Sequence, residues 1–362
     1  MSTIGDAIPI SLFGESHGKM IGITIHNLPA GIKLDLNMIN NALEQRRPTS
    51  SLSTKRREPD PYQIISGYFQ DKTTGTPLTI VIPNKDTKSK DYNKDILRPS
   101  HSDYTAHIKY RSNHDYRGGG HFSGRITAPL VILGAICRQL LEQKNIIIAS
   151  HIASIKEVND ASFTLDNITK ENLKSLLNSA FPVIDDTILP HYEKTILTAK
   201  ENKDSVGGTI ETAILNMPAG IGGPYFNTLE STLAKHLYSI PAIKGLSFGK
   251  GFDITTLYGS EANDPFTIQN DKIVTKTNNS GGIQGGISNG MPIVFKTAVK
   301  PTASIGKHQK TVNYKTKETM TYQLEGRHDP AIVHRVVHVI NAMTAYALVE
   351  VLTKEEGYSW MI

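Results

Sequence analysis

The 362-residue chain has one cysteine and one tryptophan, and aromatic residues make up only 7% of it. A single cysteine, Cys137, excludes an intramolecular disulfide and fits a reducing compartment; by type it reads as a small core residue. No apolar run approaches the roughly 18 residues of a membrane span, and the strongest, Ala128 to Cys137, is far shorter. The N-terminus carries Asp6 and lacks a basic stretch ahead of an apolar one, so no signal peptide is expected. No histidine pair stands at ligand spacing beside cysteines or clustered carboxylates, which argues against a metal. Helix-turn-helix, zinc-finger and RNP signatures are also missing. The net charge of +5 therefore need not mean nucleic acid.

The arginines carry more information than the net charge. Arg46, Arg47, Arg56, Arg57, Arg98, Arg111, Arg117 and Arg125 all fall in one third of the chain. A small polyanion explains that clustering as well as a polynucleotide does, because guanidinium forks suit phosphate and carboxylate alike. Around them the pattern predicts strands at Ile8–Phe13 and Ile21–His26 and a helix over Leu36–Gln45. Strands over Tyr62–Phe69 and Leu78–Ile82 are predicted to be joined by a turn at Thr73–Thr76. Asn84 to Tyr116 is polar and aperiodic, long for a structureless loop, and so a candidate for function. Long helices are predicted over Ser123–Gln143 and Ala331–Leu352, with connector helices near Lys170–Leu177 and Asp185–Lys200.

The two halves echo one another. "IHNLPAGI" (Ile25–Ile32) returns as "ILNMPAGI" (Ile214–Ile221), "TGTPLTIVI" (Thr74–Ile82) resembles "SNGMPIVFK" (Ser288–Lys296), and "RPS" at Arg98 matches "KPT" at Lys300. This predicts an internal duplication in one domain, with pseudo-repeats over about 8–145 and 205–355 and a connector over 146–204. Facing halves would bring "RPS" and "KPT" together to build an anion site.

Two glycine-rich stretches and four loop histidines are the candidate chemistry. Gly118-Gly119-Gly120 precedes a predicted helix, whose N-terminus offers free N–H groups to an anion. "NNSGGIQGGISNG" (Asn278–Gly290) holds too many glycines for a simple hairpin, so its backbone is expected to pass close to a flat ligand. Neither has the spacing of a dinucleotide-binding loop. His17, His101, His121 and His328 lie in loops beside arginine and serine, a setting that suits protonation of a departing phosphate held by cations.

Together the residues resemble the chorismate synthase family along the whole chain. The resemblance rests on "GESHG" (Gly14–Gly18), "RRP" (Arg46–Pro48), "RREPD" (Arg56–Asp60), "RPSHSDY" (Arg98–Tyr104) and "DYRGGG" (Asp115–Gly120). It continues through "IPAIKG" (Ile240–Gly245), "GFD" (Gly251–Asp253), "SGGIQGGISNG" (Ser280–Gly290), "KPTASI" (Lys300–Ile305) and "GRHDP" (Gly326–Pro330). It implies an α+β fold, a β-α-β sandwich, in a cytoplasmic homotetramer. The activity implied is the anti-1,4 elimination of phosphate from 5-enolpyruvylshikimate-3-phosphate to give chorismate, requiring reduced FMN, in aromatic amino acid biosynthesis.

Site residues follow from the same resemblance. His17, His101 and Asp329 are implied to be catalytic: His17 for the leaving phosphate, His101 for the reduced flavin, Asp329 for the proton taken up near it. Ser16, Arg46, Arg47, Arg98, Arg125 and Arg327 are implied to bind substrate. His121, Phe122, Ser123, Pro241, Ala242, Gly285, Lys300, Pro301, Thr302, Ala303, Ser304 and Arg327 are implied to contact FMN. Arg46 and Arg47 also stand where NADP contacts occur, NADPH being an indirect reductant. The chain departs from the family at His121 and Leu52, where many members have arginine. The first departure bears on the flavin contact; the second points to an external flavin reductase. Two rivals remain at this point, a flavin-dependent oxidoreductase and a non-catalytic anion- or RNA-binding module.

Overall fold

The computed structural model describes residues 2–47, 60–85, 93–324 and 329–362. The N-terminal half opens with β1 (Thr3–Ile4), β2 (Ile10–Gly14), β3 (Met20–Ile25) and β4 (Ala30–Lys33), followed by α1 (Leu36–Arg46). Asp35 caps α1 by accepting from the N–H groups of Asn37 and Met38. Next come β5 (Gln63–Ser66), β6 (Tyr68–Phe69), β7 (Lys72–Thr74) and β8 (Leu78–Pro83), the short helix α2 (Asp103–Lys109) and the long helix α3 (Thr127–Gln143). The connector begins with β9 (Ile147–Ile155) and β10 (Val158–Asn159) and continues through α4 (Lys170–Asn178) and α5 (Leu189–Glu201).

The C-terminal half runs from β11 (Gly208–Leu215) through α6 (Leu229–Leu237), β12 (Ile243–Phe248) and the single turn α7 (Gly259–Ala262). Two hairpins follow, β13 (Phe266–Gln269) with β14 (Lys272–Thr275) and β15 (Ile283–Gln284) with β16 (Ile287–Ser288). Then come β17 (Ile293–Val299), the pair β18 (His308–Val312) and β19 (Thr319–Gln323), and the closing helix α8 (Val333–Glu356).

Two antiparallel five-stranded sheets result, ordered β1-β2-β3-β8-β5 and β10-β9-β11-β17-β12. In each, the strand before the half's first long helix (β3, β11) pairs with the later strand (β8, β17), which in turn pairs with the strand that follows that helix (β5, β12). Between the sheets lie α3, facing the first, and α8, facing the second, so the architecture is an α+β sandwich of sheet, helices and sheet. α3 together with the turn before it (Gly124–Gln143), and α8, are long and apolar enough to cross a membrane by length and composition, yet they are mostly buried inside the protein. That burial follows from their sequences, apolar on every face rather than along one stripe. Close approach depends on Gly134, where a Cβ would stand 2.2 Å from the Cβ of Ala342 on α8.

β9 shows how burial reads through sequence. All nine residues of IIASHIASI are buried, because the strand is covered on both faces. Ile147 and Ala149 pack with Leu173 and Leu176 of α4, whereas Ser150 donates to Asn341 on α8 at 2.6 Å. His151 is fully buried on the α4 side, with Nδ1 2.8 Å from Asp160 Oδ2 and Nε2 3.0 Å from Glu211 Oε2. Asp160 also accepts from the N–H groups of Ile184 and Asp185, so the pair ties the connector to the sheet. Burial alone would push the imidazole down, but the two carboxylate bonds outweigh it and push it up.

Three expectations need correction. The β6–β7 turn falls at Gln70–Asp71, both at positive φ, rather than at Thr73–Thr76, where Thr73 is already paired with Tyr68. The polar stretch contains α2, which its charged residues disguise. The segment Asn278–Gly290 does form a short hairpin turning at Gly285–Gly286. Its other glycines admit neighbouring backbone: a Cβ on Gly281 would stand 2.4 Å from Gly249 N, and one on Gly282 2.6 Å from Pro292 O.

Removing the buried imidazole takes away the donor that both carboxylates share, leaving Asp160 with backbone N–H groups and Glu211 with the half-exposed Lys296 at 3.4 Å. His151→Ala should therefore lose about 3–5 kcal/mol of stability, measured by denaturant or thermal unfolding. Because the folded protein raises this group, its contribution is complete below about pH 6.5 and fades as pH rises through the folded value. The gap between wild type and variant should narrow toward alkaline pH; a gap that widens there contradicts the assignment.

Candidate active site

A cavity of about 1170 Å³ opens at the seam between the two halves. Its wall draws on Ile10 and Leu12 of β2, the loops after β2 and α1, the loop before α2, the turn ahead of α3, the segment ahead of β12, the Lys300–Ser304 segment and the start of α8. Most implied site residues reach it: His17, Arg46, Arg47, Arg98, His101, His121, Phe122, Ser123, Arg125, Pro241, Ala242, Lys300 to Ser304 and Asp329. Ser16 is fully buried behind the wall, its N–H donating to Gly120 O at 3.1 Å. Gly285 sits at the β15–β16 tip, away from the lining. Arg327, Leu52 and His328 lie outside the described residues.

The triple glycine has a different use from the one expected. Gly118, Gly119 and Gly120 have φ of +61°, +84° and +54° and form a tight turn well before α3. A Cβ on Gly118 would stand 2.4 Å from the His17 ring, and one on Gly119 would be 3.5 Å from the His101 ring. The glycines thus give both histidines room against one stretch of bare backbone. Arg117 is held by Asp115, Nε at 2.8 Å and Nη2 at 2.7 Å, and does not line the cavity.

Carboxylates hold the cations of the wall, one of them buried and two partly buried. Arg46 and Arg125 are almost fully buried and share Asp60, itself 3% exposed; Arg125 Nη1 donates to its Oδ1, and Arg46 Nη1 is 3.9 Å from its Oδ2. Arg46 also donates to Thr127 Oγ1 at 3.1 Å and Gly124 O at 2.7 Å, while Arg125 Nε donates to Asn84 Oδ1 at 3.1 Å. Arg98 pairs with Asp103 through Nε at 2.8 Å and Nη2 at 2.6 Å. The cavity further gains Arg335, on the first turn of α8, whose Nη1 lies 3.1 Å from Asp329 Oδ2 and whose Nε donates to Arg46 O at 3.3 Å. Sequence reasoning missed Asp60, Asp103 and Arg335. The two aspartates do stand within quoted motifs, and Arg335 is a lone arginine between His334 and Val336 at the start of a mostly apolar helical run.

The "RPS" and "KPT" segments meet. Lys300 Nζ donates to the carbonyl of Ser100 at 2.8 Å and lies 3.0 Å from its hydroxyl. Burial and the nearby Lys244 ammonium both push Lys300 below the usual lysine range. Ala242, next to it, holds φ at +75°, rare for a residue with a Cβ, while its carbonyl accepts from Lys300 N. His121 lines the cavity with both ring nitrogens engaged: Nδ1 is 2.8 Å from Gly14 O and Nε2 2.8 Å from Ser2 Oγ. Its implied flavin contact therefore has no free nitrogen to use unless Ser2 moves.

Filling the space at Gly118 should disable the site and spare the fold. Gly118→Ala is expected to lose on the order of 10²-fold in turnover through displacement of His17, with secondary structure retained by circular dichroism. Wild-type turnover in that variant refutes the packing role.

Known proteins share this whole chain. A family profile described as chorismate synthase matches residues 8–353. The chorismate synthase of Methanocaldococcus jannaschii is 46% identical over 98% of this chain and 97% of its own length. That of Thermococcus gammatolerans is 41% identical over 99% of both. A solved structure titled "Crystal Structure of Chorismate Synthase" superposes with a TM-score of 0.73 at 27% identity, over 98% of this chain and 94% of that one. With a profile match of this extent, and with histidines and arginines converging on one cavity, the chain belongs to the chorismate synthase family.

Proposed function

We propose that the cavity binds 5-enolpyruvylshikimate-3-phosphate together with reduced FMN and eliminates phosphate to leave chorismate. Family membership makes the chain a lyase of the shikimate pathway; the cofactor and the residue roles are our reading. The observation that carries it is the convergence of His17, His101 and five arginines (Arg46, Arg47, Arg98, Arg125, Arg335) on one cavity. That cavity, near 1170 Å³, exceeds the range of about 300–1,000 Å³ that suits one small ligand, which supports two ligands bound together. The donor set fits an anionic cofactor: Lys300 and Lys244 stand on the wall formed by the Lys300–Ser304 and Pro241–Lys244 segments.

The reaction breaks a ring C–O bond to phosphate and a ring C–H bond and forms one double bond, with no net change in oxidation state. Reduced flavin, when bound, supplies an electron transiently and recovers it. The chain's own groups do the rest. Arg46, Arg47, Arg98, Arg125 and Arg335 neutralise the phosphate and two carboxylates of the substrate. His17 donates a proton to the departing phosphate, His101 holds or protonates the flavin, and Asp329 handles the proton lost from the ring. We read Arg46 and Arg47 as the NADP contacts and an external flavin reductase as the reductant's source.

The shared strand order of the two sheets supports a duplicated single unit. A homotetramer in the cytoplasm completes the reading, supported by exposed aromatic and apolar side chains such as Tyr225, Phe226, Phe252, Ile268 and Ile273.

Anaerobic assay with catalytic reduced FMN should give many turnovers per reducing equivalent; one chorismate per flavin oxidised contradicts elimination and indicates net redox chemistry. His17→Ala and His101→Ala should each stay folded and lose about 10²–10⁴-fold in turnover. Phosphate release within threefold of wild type in either variant removes that histidine from the reaction.

A further inference from the structure

Asp103 makes no contact with the cavity, unlike its neighbours Arg98, Ser100, His101 and Ser102, which line it. Its carboxylate is nevertheless saturated. Oδ2 accepts from the backbone N–H of Arg98 at 2.9 Å and from Arg98 Nε at 2.8 Å. Oδ1 accepts from Arg98 Nη2 at 2.6 Å and faces His101 Nδ1 at 2.8 Å. Four donors fill the four lone-pair sites of a carboxylate, so Asp103 has no capacity left for a ligand. Arg98 Nη2 also lies 3.0 Å from His101 Nδ1, the result of two donors converging on one oxygen rather than a further bond.

We propose that Asp103 is a positioning residue that sets both Arg98 and His101 at the cavity wall and fixes His101 in the tautomer whose Nε2 faces the reacting groups. An ionised carboxylate can only accept, so His101 must carry its proton on Nδ1 to make this bond. That leaves Nε2 beside bare Gly119, toward the cavity. Burial alone would raise the Asp103 carboxyl, but its bonds to Arg98 and His101 outweigh that and hold it well below the usual carboxylate range. The carboxylate is thus an acceptor at any working pH. Arg98 gains in turn a fixed fork, its Nε and Nη2 both held by Asp103 at the cavity wall. The loop is closed from within by His101 N donating to Arg98 O at 3.1 Å, and from the other half of the chain by Lys300 on Ser100.

This rests on His101 acting as an acid–base group of the reaction, so the test separates the two. Imidazole ¹⁵N NMR of the protein alone, without flavin or substrate and at a pH where the ring is neutral, reads the tautomer directly. Wild type should show the Nδ1–H form, and Asp103→Ala should shift His101 toward Nε2–H. Turnover of Asp103→Ala should fall on the order of 10²-fold, and KM for the phosphorylated substrate should rise about tenfold as Arg98 loosens. If Asp103→Ala does not fold, Asp103→Asn, which keeps the shape, should show the same raised KM. An unchanged tautomer in Asp103→Ala, or an unchanged KM in Asp103→Asn, overturns the proposal. A shifted tautomer with unchanged turnover upholds the positioning and removes His101 from the chemistry.

Discussion

The arrangement depends on keeping five guanidinium groups on the wall of one cavity without letting them push it apart. Positive charges in a poorly solvated place repel strongly and are costly to bury. Three aspartates meet that constraint. Asp60 sits between Arg46 and Arg125, Asp103 takes Arg98, and Asp329 takes Arg335. Asp60 and Asp329 also face the cavity, whereas Asp103 stands behind its wall. An ion pair of this kind adds little net stability to a fold, and replacing it with apolar groups could stabilise the protein. Its value lies in aim: each of these arginines has part of its fork fixed in direction by a carboxylate at the cavity wall.

The fold delivers those residues from distant parts of the chain. Arg46 ends α1, Arg125 precedes α3 and Arg335 begins α8, so three helix termini converge where the two central helices meet the cavity. Buried Glu350 on α8 accepts from the N–H groups of Asp6, Ala7 and Ile8, and Tyr346 donates to Ile8 O at 2.9 Å. These bonds fix the segment that leads through β2 into Gly14–Gly18 and His17. The same helix that positions Arg335 at one end therefore anchors, toward its other end, the strand that carries a catalytic candidate.

Much of this was legible where the sequence is periodic or where a motif is long. α1, α3 and α8 lie within a few residues of expectation because each has an apolar repeat that fixes a helix whatever its neighbours do. α3 starts four residues late, since Ser123 to Ile126 form a 3-10 turn capped by Ser123. The meeting of Lys300 with Ser100 was legible from the matched segments alone. α2 was not, because its seven residues carry their apolar side chains on no consistent face and two of its largest, Tyr104 and Ile108, stay exposed. Glycine spacing misled at Gly281 and Gly282, where the neighbour is main chain at the end of β12 and the start of β17. A glycine reports that something comes close; only the tertiary structure says whether that is a ligand or backbone.

The same ambiguity resolves differently at Gly118 and Gly119, and the contrast has a physical basis. At Gly281 the nearest atoms are main chain, and the polar ones, Gly249 N and Val294 O, already bond each other. At Gly118 and Gly119 they are the edges of two imidazoles that also face open volume. A side chain at position 118 would have to displace His17, whereas one at 119 would reach only ordinary contact with the His101 ring at 3.5 Å and be disfavoured by its φ of +84°. Bare backbone is the only surface that lets two rings of different origin, one from the β2–β3 loop and one ahead of α2, lie along the same turn.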